Sequence, residues 1–200
     1  MPRPPKRQQY RYTVAIVGDG QMERIYFSDV VDTDRPSNLS IFPDYPRRIG
    51  NYKGVLDRAI TLAEDYSRVY ALIDMDKVIQ DDRKAEYKVD KAIAEAKGII
   101  ILENNPCFEI WLLLHFVYTG KLFKDCDQVS AELRKPKRIP GYNKSEKFLR
   151  NARLYHTYKA QLQEKAIGNA KRLEIKRDEQ DELFPRAQTV EFFEWYFEKG

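Results

Sequence analysis

The stretch YALIDMDK (70–77) ends an apolar run on two aspartates, Asp74 and Asp76, with Met75 between them. In an extended chain alternate side chains share a face, so both carboxylates point to the same side. Two negative charges held there repel unless a cation, a basic side chain or water intervenes. Other stretches carry further acids: Asp19 and Glu23 in GDGQMERIYF (18–27), Glu103 ending IIILE (99–103), and Glu109 in NPCFEIWLLLHF (105–116). Such oxygen donors suit a hard divalent cation, Mg2+ or Mn2+. Zinc does not fit, because Cys107 and Cys126 make no CxxC pair and His115 and His156 sit in no HExxH-like spacing. The two cysteines are expected to be reduced thiols.

The elements that position these acids alternate. YTVAIV (12–17) reads as a buried strand ending at GDG, and 21–31 has helical spacing, with Met22, Ile25, Tyr26 and Val30 near one face. NLSIF (38–42) is a short strand stopped by Pro43 and Pro46, 52–66 is a helix, and VYALID (69–74) is the next strand. A charged helix over 82–96 closes at Gly98, a strand over 99–103 follows, and 105–118 is again helical. There Asn105 suits an N-cap and Pro106 the first helical position. This βαβαβαβα order predicts an α/β fold with a parallel sheet and right-handed crossovers. Ligands of such sheets gather outside the carboxyl ends of the strands. Asp19, Asp74, Asp76 and Glu103 all follow or end strands, which would bring them to one edge, with Glu23 on the first turn of the helix after Asp19.

Beyond residue 120 no further strand is expected, only helices around 127–134, 145–176 and 188–198, with a turn-rich break at RIPGYN (138–143). The chain therefore divides into a basic, flexible leader (1–12), an α/β core (13–120) and a helical, basic C-terminal part (121–200) packed on that core. Of the 200 residues 33% are charged and 42% are apolar, ordinary for a globular protein. No apolar run approaches the roughly 20 residues of a membrane span. MPRPPKRQQYRY lacks a signal peptide's apolar stretch, so a cytoplasmic location is expected.

The net charge is only +4, but it is unevenly spread. Arg134, Lys135, Lys137, Arg138, Lys144, Lys147, Arg150, Arg153 and Lys159 crowd 134–159 against Glu146 alone, interleaved with Tyr142, Phe148, Tyr155 and Tyr158. Basic residues among aromatics suit a nucleic-acid surface, where phosphates meet charge and bases stack. A solvated helix face is the other reading of the same composition.

GDGQMERIYF is no Walker loop, since no Gly-Lys-Ser/Thr follows, and in a dinucleotide fingerprint Glu23 would occupy the third glycine's place. An aspartyl-phosphate DxDxT is missing too, because Val78 follows Lys77. The pattern resembles the toprim arrangement: an acid with Gly after strand one, a second acid one turn on, and DxD after a later strand. More narrowly the chain resembles the RloB-like family of restriction-linked and abortive-infection proteins. GDGQMERIYF is similar to that family's EGxTExxYF signature, ALIDMD to its DxD strand, and NPCFEIWLLLHF to its long motif. GYNK, AIGNAK and FPRAQTVEFFEWY are similar to its C-terminal part, so the resemblance runs from residue 13 to about 197. Asp19 stands where the family has Glu, and Met22 where it usually has Thr.

The resemblance implies a toprim-like sheet and a metal-dependent site for phosphodiester chemistry, a nuclease in phage defence with partner proteins of a defence system. Asp74 and Asp76 are then metal ligands, Asp19 a ligand or base, and Glu23 a supporting ligand. The helix macrodipole alone would also favour an acid at Glu23. Glu109 lies one turn from the expected cap and within reach of the acidic edge. Lys144 would stabilise developing charge on phosphate. Glu103 is read equally as a ligand or a solvent-facing strand end. His115 falls on another face of its helix and is read as a satisfied, half-buried histidine. Arg134, Lys135, Lys137, Arg138, Lys144, Lys147 and Arg150 are the candidate nucleic-acid contacts. A protein that kept the fold as a binding or sensor module and lost the chemistry is the competing reading.

Overall fold

The computed structural model describes residues 11–45, 51–176 and 184–199. The leader expected over 1–12 therefore lies outside the described residues except for Arg11 and Tyr12, and Tyr12 opens the first strand. The protein is an α/β fold. Strands β1 (Tyr12–Val17), β2 (Leu39–Asp44), β3 (Arg68–Asp74) and β4 (Ile100–Asn105) are parallel, and β5 (Arg186–Ala187) joins β4 antiparallel, in the order β2-β1-β3-β4-β5. The crossovers are α1 (Gln21–Asp34), α2 (Tyr52–Leu62) and the pair α3 (Met75–Gln80) and α4 (Lys84–Ala96).

Strand alternation sorts the apolar residues into two cores. Val14, Ile16, Tyr70, Leu72 and Leu102 face one cluster; Ala15, Val17, Val69, Ala71, Ile73 and Ile101 face the other. The second, smaller core is closed by Val55, Leu56 and Ala59 of α2 and Tyr87 and Ala94 of α4. The larger one joins α1 to α5 (Glu109–Leu114), α6 (Cys126–Leu133), α7 (Glu146–Ala152), α8 (Leu154–Gln161), α9 (Ile167–Ile175) and α10 (Thr189–Lys199). Its centre is aromatic. Trp111 stacks on Phe193 with ring centroids 5.2 Å apart, and Tyr155 stacks on Phe193 at 5.9 Å. The C-terminal helices thus share a buried core with the sheet.

Five expectations about the elements need correction. A strand exists beyond residue 120: β5, whose two residues are too few to show a period. Pro43 does not stop β2, because an edge strand tolerates a missing donor on its open side. The helix expected over 145–176 is interrupted at Arg153, which adopts a left-handed φ of 42° while its guanidinium bonds Asp29 at 3.0 Å. It is interrupted again by a π-helical turn, Leu162–Ala166. Asn105 ends β4 rather than capping a helix; a cis peptide joins it to Pro106, and α5 starts at Glu109. Finally, the chain is not extended through DMD: Asp74 ends β3, and Asp76 already sits in the first turn of α3.

Candidate metal-binding acidic site

β1 delivers Asp19 two residues past its last buried valine, and α1 begins directly after Gly20. Gly18 lets the turn close on this helix: a Cβ there would lie 2.6 Å from Cβ and 2.9 Å from Cγ of Glu23. Glu23 is consequently pressed into the turn and only 4% exposed. The next acid arrives on β3, which overhangs β1 because Ala71 is already level with Val17. Asp74 Oδ1 accepts the Phe108 N–H at 2.8 Å. Asp76 donates its own N–H to the Pro106 carbonyl at 2.9 Å, and its Oδ1 accepts the Lys77 N–H at 2.7 Å. Residues 106–108, just before α5, therefore seat both aspartates.

One turn on, Glu109 is 1% exposed and ringed by contacts. The Tyr142 hydroxyl donates to Oε1 at 2.9 Å, the Lys144 ammonium pairs with Oε1 at 2.7 Å, and Cys126 Sγ lies 2.9 Å from Oε2. Cys126 is not a free thiol. It forms a disulfide with Cys107, which corrects the expectation of reduced cysteines; 19 residues apart in sequence, the two Cα atoms are 5.7 Å apart once α6 folds against the segment before α5.

The charges feel one another. Burial, followed by the Glu109 and Asp19 carboxylates, pushes Glu23 up from 4.5 to about 8, against the lowering effect of its own backbone N–H. Burial raises Asp74 well above its ordinary range, helped by Glu23, Glu109, Asp76 and Asp19 in that order. Asp19 and Asp76 are also raised, first by burial, Asp19 further by Asp76. Burial works against the Lys144 ammonium, but Glu109, Asp74 and Glu23 outweigh it and raise its pKa. Five carboxylates thus act on one another beside this lysine, and Asp19 Oδ1 is enclosed with no hydrogen-bond partner. An orphaned carboxylate oxygen among repelling neighbours fits a hard divalent cation held by Asp19, Asp74 and Asp76.

The side chains are not closed around such an ion. Among the described residues, the three candidate donors whose atoms all lie within 4.8 Å of one another are Cys107, Glu109 and Cys126. Two of these are spent on each other as a disulfide, so that trio is not a cation site.

Glu103 does not join the acidic cluster. It is buried on the sheet face toward α4, where it accepts from the Tyr87 hydroxyl at 2.9 Å and pairs with Lys91 at 2.7 Å and with Arg186. Neither the ligand nor the solvent-facing reading holds, because alternation along β4 turns Glu103 to the opposite face from Asn104, the residue level with Asp74. His115 is fully buried rather than half-buried; its Nδ1–H donates to the Trp111 carbonyl at 2.9 Å, Nε2 has no partner, and burial lowers its pKa to about 4. It stands apart from the acids, as its position round the helix implied.

The basic stretch is largely committed to the fold. Arg134 donates to the Tyr142 carbonyl, Lys135 and Arg138 pair with Glu132 at 2.8 and 2.7 Å, and Arg150 pairs with Glu146 at 2.8 Å. Arg153 holds Asp29, and Lys159 holds Asp34 at 2.7 Å. Lys137 and Lys147 are exposed and make no ion pair among the described residues. Two of the four interleaved aromatics are not stacking platforms: Tyr142 and Tyr155 are buried, Tyr142 on Glu109 and Tyr155 on Asp34, whereas Phe148 and Tyr158 are partly buried against the larger core. Sequence reasoning assigned Tyr142 to that surface and so missed it as a partner of Glu109. It also passed over Lys77 and Arg83, which line a small hollow with Asp19 and Asp74.

A mostly parallel α/β sheet with acids gathered past its strand ends defines the class. Within that class, residues 14–191 match the family described as RloB-like protein, and the chain belongs to that family. No curated protein and no solved structure matches the chain. No helix among the described residues is long and apolar enough to cross a membrane.

Proposed function

We propose that the protein is a divalent-metal-dependent nuclease of toprim type, acting on RNA or DNA. The observation that carries this is the gathering of Asp19, Glu23, Asp74, Asp76 and Glu109, from three separate parts of the chain, around Lys144. A bound Mg2+ or Mn2+ supplies charge neutralisation at the scissile phosphate and an acidified water. Asp19, Asp74 and Asp76 hold it. Glu23, buried beside Asp19 and Glu109, accepts or returns a proton at its carboxylate. Lys144, half-exposed beside the buried Glu109, meets the substrate's phosphate charge. Tyr142 fixes Glu109 and through it the lysine. The biological role we assign is phage defence of the abortive-infection kind, with a cytoplasmic location and partner proteins of a defence system; it rests on the family likeness alone.

The test is incubation of pure protein with labelled RNA and DNA panels in Mg2+, Mn2+ or EDTA. Cleavage in metal, its loss in EDTA and its loss in Asp74→Ala support the reading. A second reading, a nucleic-acid-binding module without chemistry, draws on the open placement of the aspartates and on Asp19 in place of the family's Glu. Binding without cleavage in any metal, unchanged in Asp74→Ala, selects that module instead.

A further inference from the structure

We propose that Cys107 and Cys126 form a thiol–disulfide control point on the acidic site, acting through the segment 106–108 that seats both aspartates. Its effect on catalysis rests on the function proposed above; its effect on the segment does not.

The placement carries the inference. Cys107 is fully buried between Pro106, whose carbonyl takes the Asp76 N–H, and Phe108, whose N–H reaches Asp74. Its partner Cys126 opens α6 and is partly exposed, with Sγ 2.9 Å from Glu109 Oε2 and 3.1 Å from Lys144 Nζ. One covalent bond thus clamps the aspartate seat to the start of α6, and its outer sulfur touches two further charged groups of the site, Glu109 and Lys144. A disulfide sulfur has no proton to donate, so oxidised Cys126 gives Glu109 Oε2 no hydrogen bond. A thiol at the same place would donate one. Reduction therefore both releases the clamp and rewires Glu109.

The exchange is chemically ordinary. A thiolate of an external dithiol attacks the accessible Cys126 Sγ, the S–S bond breaks, and Cys107 leaves as a thiolate that takes up a proton. The second thiol of the dithiol then attacks the mixed disulfide and releases Cys126. Two electrons and two protons pass to the protein, and the dithiol becomes a disulfide. In the reduced state the Cys126 thiol can donate to Glu109 Oε2, a hydrogen bond that the disulfide cannot make, which favours the reduced state and keeps the bond exchangeable. The oxidised form is the one in which Asp74 and Asp76 are held in place.

The experiment compares the whole protein, oxidised and after dithiothreitol with the reductant removed anaerobically; alkylation and mass measurement report the redox state. Amide hydrogen exchange is followed at Phe108 and Asp76, and Mn2+ binding by calorimetric titration. Reduction is expected to speed exchange at both amides by about tenfold or more, as local opening becomes easier, and to weaken Mn2+ binding. Cys107→Ser/Cys126→Ser should match the reduced protein and ignore the reductant; if this variant does not fold, the wild-type comparison decides alone. Exchange at Phe108 and Asp76 unchanged by reduction overturns the proposal, as does a pair that stays unbonded under mild oxidant. Redox-dependent exchange with no Mn2+ binding in either form overturns the metal reading and leaves the control point standing.

Discussion

The residue with the most to reveal is Glu23, because its position sets a cost that depends on pH. Its carboxyl is raised from 4.5 to about 8. The folded state therefore binds that proton more tightly than the unfolded chain does, and the stability it contributes is present below about 4.5 and lost as pH rises toward 8. In EDTA the melting temperature should fall across that window. Glu23→Gln should remove much of the fall, melting several degrees higher than wild type at pH 8 and about the same at pH 4.5. An unchanged slope in the variant would mean that Glu23 is ionised without penalty. His115 works in the other direction. With its pKa lowered to about 4, it costs stability as pH drops below 6.5, so it does not confuse the alkaline limb. Asp19 poses a different question, of reach. Its carboxylate is one methylene shorter than the family's glutamate, and a misplacement of about 1 Å can cost on the order of a hundredfold in rate. Asp19→Glu should then raise cleavage in Mn2+ while leaving nucleic-acid affinity unchanged. A rate that stays level or drops would show that the backbone has adapted to aspartate, and Asp76→Ala, inactive in either background, is the control.

At the scale of elements, the turn between β1 and α1 is the tightest junction of the site. Gly18→Ala would place a methyl 2.6 Å from Glu23 Cβ, an atom fixed to the helix backbone rather than the end of a flexible chain. Overpacking of this kind costs about 1–3 kcal/mol, which for a chain of this length lowers the melting temperature by roughly 2–12 °C. A variant that melts with the wild type would show that α1 can slide away. This turn was legible in the sequence, as were the four parallel strands and their helices, because periods of two and 3.6 survive wherever one face is buried. Asp19 and Asp74 were legible for the same reason: strand ends can be counted. What was hidden depends on contacts across the chain. β5 exists because β4 offers it an edge, and its two residues carry no pattern of their own. Arg153 breaks a helix because Asp29, 124 positions away, draws its side chain. Glu103 changes role through Lys91 and Arg186, and the cysteine pairing appears only when α6 docks. Propensity sees none of these partners.

For the whole molecule the decisive property is how much positive charge is left for a polyanion. The chain carries +4 overall, and nine basic residues crowd 134–159, which from composition alone suggests many phosphate contacts. The fold withdraws several of them. Arg134 serves the Tyr142 carbonyl, Arg138 lies against Glu132, Lys144 belongs to Glu109, and Arg153 and Lys159 hold Asp29 and Asp34. Lys137 and Lys147 remain, together with Lys135 and Arg150, whose own side chains are more than half exposed and can exchange their carboxylate partners for phosphate. About four contacts predict a slope of log affinity against log salt near −3 for a single strand, where nine would give about −6. Fluorescence anisotropy across a salt series measures this directly. Lys137→Glu/Lys147→Glu should cut binding by more than about tenfold, flatten the slope and leave the melting temperature unchanged. Arg153→Glu should do the reverse, lowering the melting temperature by leaving the buried Asp29 without its cation while barely changing affinity. A flat salt response in wild type would show that this stretch is a solvated face, and that any nucleic acid must be held by the acidic site's own lysine and metal.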